Sequence, residues 1–178
     1  MLVLAGCAAP PKGPLPSTPK DQLNLNAFQA RGKMSWSQDG KGDSAKFEWE
    51  YRNPNQQIDF FTPLGSVAAT IKTELGQVIL DTAQGDRFTA SSLEALSTRV
   101  FEMTLPLTGF EYWAQGLPKP NSPFSEEVTP TGKRLMQDGF VLDYLHWVDV
   151  QGRQLPDQLD IRNQGFTLKL RIKEWLFN

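Results

Sequence analysis

The sequence predicts a mainly β protein with a few helices, in which an antiparallel sheet forms an incomplete β-barrel and an α-helical lid crosses its opening. Three observations favour this class. Apolar and polar residues alternate with a period of two in many short segments. The 14 glycines and 13 prolines among the 178 residues punctuate those segments. Few segments have helical spacing, so the helices cannot cover a sheet of nine or more strands completely. The twist of the strands should therefore curl the sheet toward a partly closed barrel.

The first predicted element is a short helix over residues 21–30, with Asp21 as its cap. Alternation then predicts strands over residues 31–38 and 44–52, where Phe47 and Trp49 share one face. The sequence Asp39-Gly40-Lys41-Gly42 between them supplies the residues that a hairpin turn requires.

The remaining elements follow the order strands, helices, strands. An antiparallel meander is predicted over residues 57–62, 67–73, 77–82 and 86–90. Ser91 or Ser92 should begin a helix whose apolar side includes Val100, and a second helix is expected around residues 110–115. Strands should resume from about Arg134, with segments at 140–149, 158–162 and 165–174.

The single cysteine, Cys7, lies in Leu4-Ala5-Gly6-Cys7, the pattern of a bacterial lipoprotein signal. The prolines that follow it indicate a tether. We therefore expect a residual signal sequence at 1–6, a lipidated Cys7 with its tether at 7–22, and one domain at 23–178. Only six residues without Lys or Arg precede Cys7, so we expect that this start is truncated or wrongly assigned.

Charge and motifs argue against several classes of function. Eighteen basic and twenty acidic residues give no source for the attraction that dominates nucleic-acid binding. One cysteine and one histidine offer no metal-ligand spacing, and we expect neither a metal nor a cofactor. His146 lies on an apolar strand without a nucleophile motif, so a structural role is favoured over a catalytic one.

Five segments, in this order, resemble the LolB family of outer-membrane lipoprotein receptors. They are residues 23–32 (LNLNAFQARG), 47–49 (FEW), 62–66 (TPLGS), 113–118 (WAQGLP) and 168–175 (LKLRIKEW). The resemblance implies an incomplete barrel of about eleven antiparallel strands, with a helical lid over a hydrophobic cavity. It also implies a non-enzymatic, monomeric protein at the periplasmic face of the outer membrane, attached through lipidated Cys7. Such a protein accepts lipoproteins from a periplasmic LolA-like carrier by binding their acyl chains, and inserts them into outer-membrane lipid.

The resemblance assigns roles to particular residues. Leu64, between Pro63 and Gly65, matches the family's protruding leucine, which is needed for membrane insertion. Ala8 fits outer-membrane sorting, because it is not the aspartate that retains some lipoproteins in the inner membrane. For the acyl-chain cavity, alternation and the lid suggest the inward-facing residues Met34, Trp36, Phe47, Trp49, Ile58, Phe60, Val67, Ile71, Val100, Trp113, Leu145 and Trp147.

Two alternatives stay open at this point. The same fold can serve an envelope lipoprotein that senses or scaffolds without cargo, because fold does not determine function. A hydrolase is less favoured, since paired carboxylates such as Glu126-Glu127 are expected on solvated surfaces.

Overall fold

The computed structural model describes residues 26–101 and 109–177, and the side chains of all of these except residues 100 and 101. One antiparallel sheet of eleven strands dominates this part of the chain, in the spatial order β6-β5-β4-β3-β2-β1-β11-β10-β9-β8-β7. The strands are β1 (Ala27–Gln38), β2 (Lys41–Arg52), β3 (Asn55–Phe61), β4 (Val67–Glu74), β5 (Gln77–Thr82), β6 (Arg87–Ala90), β7 (Phe124–Thr129), β8 (Gly132–Gln137), β9 (Phe140–Val150), β10 (Arg153–Asn163) and β11 (Phe166–Leu176).

The sheet is open rather than closed. Its only pairing between strands distant in sequence joins β1 to β11 within the described residues, while β6 and β7 form the two edges. Two helices occur in this part of the chain, α1 (Leu93–Phe101) and α2 (Phe110–Ala114). Neither of these helices is long and apolar enough to cross a lipid bilayer. The prediction of an incomplete antiparallel barrel with about eleven strands and a few helices is thus confirmed.

Helix α1 begins where the sequence predicts. The Ser92 hydroxyl accepts a hydrogen bond from the Ala95 amide at 3.1 Å, which is the N-cap arrangement that satisfies an otherwise unpaired amide. Leu93 and Leu96 are buried, and α1 packs against β5 and β6. The helix therefore covers the inner face at the β6 edge.

The predicted helix over residues 21–30 is wrong from Ala27 onward, and Asp21 lies outside the described residues. Ala27 is the first residue of β1, in which Phe28 lies opposite Tyr51 and Ala30 opposite Trp49. Both side chains enter the buried face of the sheet, so pairing with β2 overrides the weak helical pattern of this segment.

Strand β7 was also missed, because strands were expected to resume only at Arg134. The structure places β7 at Phe124–Thr129 and starts β8 at Gly132. The Glu126-Glu127 pair and the nearby prolines do not look like a buried strand, yet they suit an edge strand, where charge discourages pairing with other chains.

A glycine allows the closest approach between β1 and β11. At Gly32 a Cβ atom would lie 2.1 Å from the backbone oxygen of Arg171. The register of the two strands shifts between Arg31 and Gly32, which is the type of irregularity that glycine often marks in a strand.

Candidate functional site

The concave face of the sheet is apolar and lies under α2. Strand alternation brings Phe47, Trp49 and Tyr51 of β2 into this face, and all three are buried. Phe110 of α2 stacks on Trp49, with ring centroids 5.3 Å apart. The rings of Phe110 and Trp49 are therefore in direct contact, at a place where the family resemblance implies a hydrophobic cavity.

A cleft at one end of the sheet is too small for a lipid. It is lined by residues 27–29 and 50–52 together with Leu176, and its volume is about 10 Å³. This is about the space that one water molecule occupies. An acyl chain could not enter this cleft without movement of the surrounding side chains.

Helix α2 and the segment after it, as far as Ser122, form a helical cover over the sheet, and a buried amide fixes one side of this cover. Gln137 of β8 accepts hydrogen bonds through Oε1 from the Trp113 indole N–H and from the Lys119 backbone N–H, both at 2.8 Å. Its Nε2 donates to the backbone oxygens of Lys119 at 2.8 Å and Ser122 at 3.1 Å. The Tyr144 hydroxyl donates to the Trp113 backbone oxygen at 2.9 Å. These bonds join α2 and the segment after it to β8 and β9.

The other side of the cover is held differently. Toward β2, the contact recorded for α2 is the apolar stack of Phe110 on Trp49. The cover is thus hydrogen-bonded to β8 and β9, and Phe110 packs it against β2 through the stack on Trp49. The hydrophobic part of this ring packing is non-directional, so another apolar group can supply it, whereas a buried hydrogen bond is costly to lose.

Ionisable groups between β2 and α2 have perturbed pKa values. Burial, together with the nearby Glu111 and Tyr112, raises the pKa of Tyr51 to about 12. Burial also raises the pKa of the Glu111 carboxyl above its usual value. Both shifts disfavour the charged form, as is expected for ionisable groups at the edge of an apolar face.

Most of the predicted cavity residues lie in or against the apolar core. Six of them are buried, namely Met34, Phe47, Trp49, Ile58, Ile71 and Trp113. Another three, Trp36, Phe60 and Trp147, are partly buried and pack against the same cluster, which makes nine in all. Trp147 packs on Gly116, where a Cβ atom would come within 2.4 Å of its ring. The side chain of Val100 lies outside those described. Whether any of these residues contacts an acyl chain stays a prediction.

Val67 and Leu145, which were predicted to face inward, are not buried, because strand bulges lie beside them. Val67 is 46% exposed, because a register shift pairs it with Phe61 while Phe60 pairs with Ala69. Leu145 is half-buried and sits in the irregular stretch of β9, next to the fully buried Tyr144. Strict alternation fails at these sites, since each bulge adds one residue and reverses the faces beyond it.

An exposed apolar margin continues the concave face at the β7 edge. Phe124 and Val128 lie opposite Gln137 and Lys133 of β8, so they share the inner face with the fully buried Leu135 between those two positions. Phe124 is 53% and Val128 59% exposed. No local pattern predicts this margin, because an unpaired edge is decided by the order of the strands.

Leu64 occupies the tip of the β3–β4 loop and is 98% exposed. The loop is closed by two backbone hydrogen bonds, from Thr62 N to Ser66 O and from Gly65 N to Thr62 O, both 2.9 Å long. Gly65 has a φ of 91°, a left-handed conformation that favours glycine. The predicted exposure of Leu64 agrees with the structure, but its role stays a prediction.

The β5–β6 loop has the same geometry as the Leu64 loop. Thr82 N donates to Asp86 O and Gly85 N donates to Thr82 O, both at 3.0 Å, and the φ of Gly85 is 92°. Gln84 takes the position that corresponds to Leu64. This turn therefore forms equally well around a glutamine, and its backbone does not require a leucine.

The single histidine contacts a carboxylate on the surface. His146 Nδ1 lies 2.7 Å from Asp157 Oδ1, and the histidine side chain is exposed. Its recorded partner is an acid rather than a hydroxyl nucleophile. In residues 26–101 and 109–177, no group of three or more His, Cys, Asp or Glu side chains could hold a metal ion. Cys7 and the expected tether lie outside the described residues.

An open antiparallel sheet with a covered apolar face defines the class of LolA-like half-barrels. A solved structure described as a LolA superfamily protein from Nitrosomonas europaea has a TM-score of 0.54 at 11% identity, covering 86% of this chain and 87% of that chain. A solved DUF1329 family protein from Desulfovibrio piger has a TM-score of 0.56 at 9% identity, covering 86% of each chain. These likenesses concern the fold alone.

Sequence comparison identifies the particular family within this class. The family described as "Outer membrane lipoprotein LolB" matches residues 26–175, so the chain belongs to the LolB family. The relative named outer-membrane lipoprotein LolB from Chromobacterium violaceum is 30% identical over 177 residues, 98% of this chain and 93% of the relative. The protein of that name from Pseudomonas aeruginosa is 32% identical over 161 residues, 89% of this chain and 78% of the relative.

Proposed function

We propose that this protein is an outer-membrane lipoprotein, anchored by lipidated Cys7, that accepts lipoproteins from a LolA-like periplasmic carrier and inserts them into the outer membrane. Membership in the LolB family supports the class of function. The structural observation that carries the proposal is the apolar concave face under a cover in which Phe110 stacks on Trp49 of β2.

The energetics of the cover favour replacement of Phe110 by an acyl chain. Separating an aromatic pair such as Phe110 and Trp49 loses about 0.5–1.5 kcal/mol beyond the buried area, and exposing the buried Phe110 ring costs roughly another 1.5–3 kcal/mol. Each methylene that leaves water for an apolar surface gains about 0.8 kcal/mol. A few methylenes that cover Trp49 therefore offset the loss of the stack, while the hydrogen bonds of Gln137 keep the other side of α2 in place.

The exposed margin of β7 gives the acyl chains a route to this surface. Phe124 and Val128 lie on the inner face at the open edge of the sheet. Glu126 lies between them on the same face and forms an ion pair with Lys133 at 2.6 Å, so an acyl chain gains apolar contact at Phe124 and Val128 individually. We infer that acyl chains first contact the β7 edge and that replacement of Phe110 on Trp49 is a separate step, because the hydrogen-bonded side of the cover lies between the two sites.

We assign the delivery of cargo lipoproteins into the membrane to Leu64. A fully exposed leucine on a rigid loop can enter the hydrocarbon region of a bilayer, whereas a charged side chain there resists contact with lipid. The loop lies at the end of the sheet that also carries the β1–β2 and β5–β6 turns.

Acceptance and delivery can be tested separately. The Cys7→Ala chain is mixed with a carrier that holds an acylated lipoprotein, and the complex with the lipoprotein is recovered by pull-down. The lipidated chain is then placed in vesicles, and the amount of cargo transferred to them is measured. We expect transfer of cargo from the carrier in the first assay and membrane-bound cargo in the second. Cargo that remains on the carrier in the first assay would refute the proposed function.

The β5–β6 loop, which has the same geometry as the Leu64 loop, supplies matched controls for Leu64. Leu64→Gln places in the loop the residue that Gln84 already shows to be compatible with this turn, and Leu64→Glu adds a charge. Both variants should accept cargo normally and deliver it poorly, with Leu64→Glu the more impaired. Gln84→Glu makes the same charge change at the equivalent position and should deliver normally. Equal delivery by Leu64→Glu and Gln84→Glu would exclude the role given to Leu64.

A further inference from the structure

Leu75 combines two unfavourable features at one position. It lies at the tip of the β4–β5 hairpin, is 100% exposed, and has a φ of 52°. A left-handed backbone is rare for residues other than glycine, asparagine and aspartate, and a fully exposed leucine gains nothing from burial. The hairpin would form more readily with a polar residue at this position.

Three other hairpins of the same chain use polar residues at the equivalent place. In each, a residue with φ between 49° and 56° precedes a glycine with φ between 78° and 82°, as Leu75 precedes Gly76. These residues are Asp39, Asp138 and Gln151. Aspartate is among the residues that suit this turn, so Leu75 is the exception among four similar hairpins.

Leu75 lies at the end of the sheet where the described chain begins. Facing residues of neighbouring strands show that the start of β1 and the β4–β5 hairpin lie at the same end of the sheet. These pairs are Ala27–Arg52, Arg52–Asn55, Gln56–Thr73 and Glu74–Gln77. The Asn53 amide also donates a hydrogen bond to the Asn26 oxygen at 2.8 Å. Three strand spacings of about 4.8 Å place the Leu75 hairpin roughly 14 Å from β1.

The location of the chain start indicates what covers Leu75. Asn26 is nineteen residues after Cys7, and in this family of outer-membrane lipoproteins Cys7 is the residue expected to carry the lipid. A connection of this length spans at most about 65 Å, so it does not fix the orientation of the domain, but it places the end that carries Asn26 nearer to the bilayer on average than the opposite end. A protein partner fits less well, because Glu74 and Gln77 flank the leucine and a stable interface requires a much larger patch.

We propose that Leu75 is a membrane-contacting tip that enters the phospholipid surface around the Cys7 anchor and holds the domain with its Asn26 end toward the bilayer. This inference goes beyond cargo transfer, since it concerns the orientation of the empty protein. Leu64 lies at the opposite end of β4, an eight-residue strand about 26 Å long. The two tips therefore contact the membrane in turn, and the connection to Cys7 is long enough to let the domain turn over.

A fluorescent label beside the tip tests the proposal. Lipidation consumes the thiol of Cys7, the only cysteine, so Gln77→Cys provides a single labelling site in the full lipidated chain. The labelled protein is placed in phosphatidylcholine vesicles that contain a lipid with a nitroxide quencher near its headgroup. Lys41→Cys, at the opposite end of the sheet, is the matched control. We expect strong quenching at position 77 and weak quenching at position 41.

The decisive variant is Leu75→Asn, which suits the left-handed turn. It should keep or raise the thermal midpoint, while the ratio of quenched to free label at position 77 falls about tenfold because the apolar side chain is gone. Unchanged quenching in Leu75→Asn would overturn the proposal, as would equal quenching at positions 77 and 41. A marked fall in thermal midpoint would also count against it, because the leucine would then serve the fold. No cargo or carrier is present, so the result is independent of cargo acceptance.

Discussion

The buried amide of Gln137 offers the sharpest test of how the helical cover is held. Gln137→Leu removes four hydrogen bonds, two accepted and two donated, at a residue that is 3% exposed. The Trp113 indole N–H then lacks its partner in a fully buried position, which costs about 1–3 kcal/mol. The backbone groups of Lys119 and Ser122 are nearer to solvent and regain part of their loss from water. We expect about 2–4 kcal/mol of destabilisation in total.

A double-mutant cycle isolates the bond between Gln137 and Trp113. Trp113→Phe removes the indole N–H, so Gln137→Leu leaves no unpaired donor on that ring in the Trp113→Phe background. The second substitution should therefore cost about 1–2 kcal/mol less there than in the original chain. The free energy of unfolding is measured in urea by far-ultraviolet circular dichroism, because loss of a tryptophan alters the fluorescence signal. A coupling within about 0.5 kcal/mol of zero would refute the reasoning, since independent sites are additive to that level.

Three further predictions concern the cover, the strand seam and the open margin. Burial raises the pKa of Glu111, so ionisation of its carboxyl disfavours the folded state. The free energy of unfolding should therefore fall as pH rises from the ordinary carboxyl range through the raised pKa. Thermal scans of Glu111→Gln from about pH 4 to 8 should lack that fall. An equal fall in both proteins would contradict this cause. Gly32→Ala places a Cβ atom against the Arg171 backbone and should lower the free energy of unfolding by about 1–3 kcal/mol. An unchanged free energy of unfolding would show that β1 and β11 separate easily. Phe124→Ser should leave the thermal midpoint within a few degrees but reduce cargo acceptance from the carrier, and normal acceptance would exclude entry at the β7 edge.

The sequence by itself determined the class of fold and most of its elements. Alternation in residues 44–52 predicts β2 correctly, and Ser92 begins α1 as its side chain suggests. These features are local, because each depends on residues two to four positions apart. The five segments that resemble the LolB family lead to the same assignment as the family comparison, which covers residues 26–175.

Only the tertiary structure decided which apolar side chains face inward and where the sheet stays open. The bulges beside Val67 and Leu145 reverse the alternation through pairing with neighbouring strands, and no local pattern records them. Phe110 and Trp49 are 61 positions apart, and their stack depends on how α2 crosses the sheet. The exposure of Phe124 follows from β7 being an edge, which is a property of strand order. Contacts between distant segments arise from packing the whole chain, and so they cannot be read from the spacing of residues along it.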